Sequence, residues 1–142
     1  MKRLDAVKKV FWALVALFLI IVLYFVIPVA EMSKNMFFPY ISAIVITFFL
    51  LGITLVILSW KLKGTLKKAL ILTGASASMF LIGVIAHNMF YALNIVSENI
   101  KVISYAATAL SVTFFLIAVI GCPLAFLTGM IASIILLRKK YK

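Results

Sequence analysis

The chain is poor in everything that acid–base or metal chemistry needs. Among 142 residues there are three acids (Asp5, Glu31 and Glu98), one histidine (His87) and one cysteine (Cys122). A lone cysteine excludes an intramolecular disulfide. One His and one Cys are too few for a zinc site. Paired carboxylates for general acid–base work are missing, and no acid lies near His87 to build a Ser-His-Asp set. Gly-rich phosphate loops are also missing. Proton-coupled transport usually places a carboxylate inside the membrane, yet all three acids fall outside the apolar runs. These absences point away from an enzyme, and no resident cofactor is implied.

What is present is apolar surface. The chain is 67% hydrophobic and only 12% charged, whereas soluble domains are near half apolar and a quarter charged. One small core cannot bury so much, so lipid is the solvent for most of the chain. Four uncharged runs stand between clusters of charge, and each is long enough to cross a hydrocarbon layer as helix, which takes about 20 residues. The expected fold is all-α: a four-transmembrane-helix bundle in one integral membrane domain, residues 1–142. Its spans fall at about 10–30, 36–60, 69–95 and 108–137. Short segments of alternating polarity, the mark of a membrane β-barrel, do not occur.

The net charge of +11 has a position as well as a size. In water it would suggest nucleic acid. Here 12 of the 14 basic residues lie in the N-terminal segment, in 61–68 ("KLKGTLKK") or in the C-terminal "RKKYK". Basic loops stay cytoplasmic, so both termini are expected inside a cytoplasmic membrane, with nucleic acid excluded as a partner and anionic lipid contact as a secondary effect. Phe11, Trp12 and Trp60 suit the inner interface; Phe37, Phe38 and Tyr40 suit the outer one. Pro39 suits a first helical turn. The first run is longer than a signal-peptide core and is expected to remain as a span, ended or kinked by Pro28. Glu31 with Lys34 and Glu98 with Lys101 repeat an E-x-x-K spacing, read as coincidence because the spans show no matching similarity.

Polar groups inside the runs are few. At about 100° per residue, Ser76, Phe80, Gly83, His87, Tyr91 and Asn94 share one face of the third span. Gly74, Ser78, Leu81, Ile85, Asn88 and Ala92 share another, and both faces are expected to pack on protein. Gly74 and Ser78 make a small-xxx-small step, and Gly121, Ala125, Gly129 and Ser133 make a longer one, both suited to close helix packing. Met79 and Met89 read as core filler. Pro123 removes a backbone donor and should kink the fourth helix, freeing the Val119 carbonyl. Val119 stands as far along the chain from Arg138 as His87 does from Lys68. Each offset is about 28 Å along a helix. His87 and Asn88 are therefore expected to meet the 119–123 backbone, with Tyr91, Cys122 and Pro123 completing a polar cluster. His87 reads either as a hydrogen-bonded packing residue or as a ligand-binding one. Cys122 reads as a small packing residue in preference to a redox thiol.

The order "LTGASA", "HNMFYAL" and "FFLIAVIGCPLAFLTGMIASIILL" resembles a family of small, uncharacterised prokaryotic four-helix membrane proteins. The match covers residues 72–137, through Gly74 to Ala77, His87 with Asn88, and Cys122 with Pro123. The resemblance implies the fold and a candidate site, and it carries no activity. Three functions are open to such a chain: a non-enzymatic protein binding a partner helix or small apolar ligand, as in an accessory subunit or homo-oligomer; a small-solute transporter or channel; and a redox or haem protein using His87.

Overall fold

A computed structural model describes residues 2–26 and 31–139. It is all-helical: α1 (Lys2–Val26), α2 (Glu31–Ser59), α3 (Thr65–Val96), α4 (Lys101–Leu116), a π-helical turn (Ile117–Gly121) and α5 (Cys122–Lys139). Helix α4, the π turn and α5 run on as one rod of 39 residues, about 58 Å long. Among the described residues four helices are long and apolar enough to cross a membrane: α1, the Pro39–Ser59 part of α2, α3 and the 39-residue rod. Such helices satisfy their own backbone groups, as a segment facing lipid must.

Helix α3 is central. It packs on α2, α4 and α5, while α1 packs on α2. The ring closes through aromatics: Phe18 of α1 stacks on Phe126 of α5 at 4.5 Å, and Phe48 of α2 lies 5.4 Å from Phe126. One end of the bundle, the cationic end, gathers the positive charge. Lys8 and Trp12 of α1 share a cleft there with Ile134, Leu137 and Arg138 of α5, and Lys67 Nζ lies 5.1 Å over the Trp60 ring. The turn between α2 and α3 depends on Gly64, whose φ of 79° favours a residue with no Cβ.

Just beyond the cationic end, glycines bring backbones together. A Cβ on Gly52 would fall 2.8 Å from the Gly74 carbonyl oxygen, and one on Gly74 would fall 2.7 Å from that of Gly52. A Cβ on Gly129 would meet Thr73 N at 2.8 Å and Thr73 Oγ1 at 2.6 Å. These are the α2–α3 and α3–α5 crossings. The hydroxyls nearby are satisfied locally: Ser78 Oγ donates to the Gly74 carbonyl at 3.0 Å and Thr73 Oγ1 to that of Ala69 at 3.0 Å.

Several sequence expectations need correction. The fourth helix begins at Lys101, about two turns before the expected start of its spanning part near 108, and nothing between Lys101 and Leu116 breaks it. Pro39 sits well inside α2, which starts at Glu31, so it is not in a first turn. Met79 and Met89 are exposed, since by helical rotation they lie opposite the packed face of α3. The second face of α3 is buried at Gly74 and Ser78 and half-buried at Leu81; Ile85, Asn88 and Ala92 are exposed. Pro28 and the side chains of Phe37 and Phe38 lie outside the described residues.

Candidate functional site: an apolar cavity beneath a histidine–serine clasp

The small-residue stripe of α5 drifts off the packed face. Each step of four residues overshoots a full turn by about 40°. Gly129 and Ser133 are buried, Ala125 is half-buried, and Gly121 is exposed with only the Leu116 carbonyl oxygen within 4.0 Å of a built Cβ. The buried line is instead Cys122, Phe126, Gly129, Ser133 and Leu137. Gly83, by contrast, does pack: a Cβ there would lie 3.0 Å from that of Ala118.

Pro123 follows directly on the π turn. The Cys122 N–H donates to the Ile117 carbonyl, five residues back. In a regular α-helix the Pro123 ring would press on the Val119 carbonyl. A π turn inserts one residue, and such bulges often mark functional positions.

His87 and Asn88 do not serve that defect, contrary to the sequence expectation. Asn88 Nδ2 donates to the Val84 carbonyl of its own helix at 2.8 Å. His87 Nδ1 lies 3.0 Å from the Ser111 carbonyl oxygen and 2.9 Å from Ser111 Oγ, which in turn lies 3.3 Å from the His87 carbonyl oxygen. The depth count is what fails. Gly129 abuts Thr73, so an equal walk along each antiparallel helix brings Arg138 level with Gly64, about one turn below Lys68. Ser111, the true partner, was missed. Its signal is the small-residue line Ala107, Ser111 and Ala118, the buried positions of this stretch. Farther out, Ser104 Oγ donates to Asn94 Oδ1 at 2.6 Å. A polar seam therefore ties α3 to α4 beyond the level of the π turn. The predicted cluster splits: Cys122 is buried and Pro123 half-buried on the π-turn side, His87 is half-buried at the seam, and Tyr91 and Asn88 are exposed.

Between these parts lies a cavity of about 350 Å³. Its walls come from all four spans: Phe18, Ile21, Val22, Phe25 and Val26 of α1, Phe48 of α2, Ser76, Ala77, Phe80 and Val84 of α3, and Val119, Cys122, Pro123 and Phe126 of the rod. Its one hydroxyl, Ser76 Oγ, is bonded to the Leu72 and Thr73 carbonyls at 2.7 and 3.1 Å. No wall residue is charged. Phe25, Val26 and Val119 are exposed, so the cavity opens sideways between the end of α1 and the π turn. Such a space is suited to hydrocarbon. Among the described residues no three of His, Cys, Asp and Glu gather to hold a metal. The candidate residues thus fall into two adjoining parts, an apolar chamber on the π-turn side and a clasp at its far edge.

Comparison with protein-family models, with curated proteins and with solved structures finds no match to this chain.

Proposed function

We propose that this protein is a non-enzymatic integral membrane protein that holds a small apolar ligand in the cavity between α1, α3 and the π turn. The observation that carries the reading is the cavity itself. Its volume falls in the lower part of the range usual for small-molecule sites, its one hydroxyl is already satisfied, and its mouth faces the surface that lipid would cover. The protein sits in a cytoplasmic membrane with both termini inside, a placement supported by its cationic end. The rod bends at Pro123, and that bend opens the chamber. The kinship of residues 72–137 with small prokaryotic four-helix membrane proteins belongs to the same proposal.

The test is native mass spectrometry of the protein extracted gently from its own membranes. The expected result is a bound small molecule. The double variant Val84→Phe/Val119→Phe, which fills the chamber, should lose it and keep its melting temperature. A bare chain of 15.8 kDa, or equal retention by the filled variant, would overturn the reading.

A second reading has one observation in its favour. Gly121 leaves an uncovered notch on the outside of the rod, of the kind a neighbouring helix can enter. A partner membrane protein or a second copy would dock there, and a larger assembled mass in the same experiment would reveal it.

A further inference from the structure

His87 reveals its own tautomer. The Ser111 carbonyl oxygen, 3.0 Å from Nδ1, only accepts. Nδ1 must therefore carry the proton, or two lone pairs would face each other at that distance. The Ser111 hydroxyl receives from Nδ1 at 2.9 Å and donates to the His87 carbonyl at 3.3 Å, which closes all three contacts. In the neutral ring Nε2 is then the acceptor nitrogen. Among the described residues nothing bonds to it.

His87 lies on the α3 face that lines the cavity. By helical rotation, Ser76, Phe80, Val84, His87 and Tyr91 fall within an arc of about 80° on α3. The first three line the chamber. His87 is one turn beyond Val84, and its ring is 5.2 Å from that of Phe115 and 6.3 Å from that of Tyr91. Phe115 in turn stands one turn from Val119 on the chamber wall. Apolar wall thus leads directly to a single uncommitted acceptor.

We infer that the chamber and His87 form one amphipathic site, whose ligand is a single-chain lipid alcohol. The hydrocarbon chain occupies the chamber and the hydroxyl donates to His87 Nε2. This deepens the apolar-ligand reading and rests on it. Size argues for one chain: a cavity of about 150 Å³ accepts a benzene, so about 350 Å³ holds on the order of a dozen carbons. Chemistry argues for the hydroxyl. An ether, ester or carboxylate head would set lone pairs against Nε2. An anionic head would also want a cation, and neither the chamber wall nor the rings around His87 supply one.

The test uses the full chain in lipid nanodiscs with four probes of equal chain length: 1-dodecanol, dodecyl methyl ether, dodecanoate and dodecane. Wild type should bind the alcohol roughly three- to tenfold more tightly than the ether, the worth of one hydrogen bond. His87→Phe keeps a ring and removes the acceptor. It should bind alcohol and ether within about twofold of each other, as expected when no hydrogen bond discriminates them, with ether affinity unchanged. Dodecanol should also move the 15N resonance of His87 Nε2 in wild type, which decides the matter even where the variant does not fold. Equal binding of alcohol and ether, tightest binding of dodecanoate, or a still resonance would overturn the proposal and leave the apolar chamber standing. Failure of all four probes to bind would overturn both.

Discussion

The two halves of this bundle are packed by different means. Toward the cationic end, Gly52, Gly74 and Gly129 set backbone against backbone, and any added Cβ would fall within 3.0 Å of a neighbour. Toward the other end, α3 and the rod continue as a pair joined by His87–Ser111 and Asn94–Ser104, and a chamber lies between the end of α1, α3 and the rod. In lipid no hydrophobic force draws helices together, so close contact and interhelical hydrogen bonds must do it. The first half relies on contact and is closed. The second relies on a few polar pairs and keeps an opening. A binding site belongs in the second half, because a crossing at glycine contact has no volume to give.

The sharpest way to break this contrast is to open the closed half. Gly74→Ala should be the most damaging single change, because its new Cβ meets backbone that cannot turn aside. Overpacking of this kind costs about 1–3 kcal/mol or more, beyond the helix-propensity gain of about 1 kcal/mol. The check is the melting temperature in a fixed detergent. Gly52→Ala should behave alike, and Gly129→Ala only slightly less severely, since Thr73 Oγ1 can rotate.

A smaller effect should come from the polar seam. Ser111→Ala removes the His87 partner and should cost about 1 kcal/mol. Its local character is the point: amide exchange should quicken around 104–115 and stay unchanged around 69–78. Uniform quickening would mean that the halves are one cooperative unit.

Smaller still are the changes that release rather than break. Ser133 Oγ is fully buried and finds no partner among the described residues, as is the case for Ser59 Oγ. An unmet buried hydroxyl is unfavourable, so Ser133→Ala should be neutral or raise stability by up to about 1 kcal/mol in a thermal melt. At the end of the scale, Gly121→Ala should leave the melt unchanged or raise stability by up to about 1 kcal/mol, because the added methyl enters open space. A loss as large as that of Gly74→Ala would show that the exposed notch is covered by another helix.

The fold was legible because lipid simplifies the problem: charge clusters bound the apolar runs, and helix is the only form an unpaired run can take. The packing motifs were legible in part. Gly74 with Ser78 and Gly129 with Ser133 were found by spacing, but spacing of four cannot say where a stripe leaves the face, and Gly121 left it. The site was legible only as a set of residues. Cys122 and Pro123 line the chamber while His87 bonds Ser111 one turn beyond Val84, and the partners were misassigned because counting from basic residues assumed that Lys68 and Arg138 lie at equal depth. A one-turn offset brings His87 level with Phe115, whose ring it meets at 5.2 Å, and its hydrogen-bond partner Ser111 stands one further turn out. The chamber itself has no sequence signal: its walls are ordinary apolar residues drawn from all four spans.

The most direct test of the contrast is methyl NMR of the protein under xenon, a probe that enters dry apolar cavities and requires no knowledge of the ligand. The account predicts saturable shifts at the methyls of Ile21, Val84 and Val119 and none at Leu55, Val56 and Leu70. Shifts of equal size in both halves, or none at the chamber methyls, would contradict it.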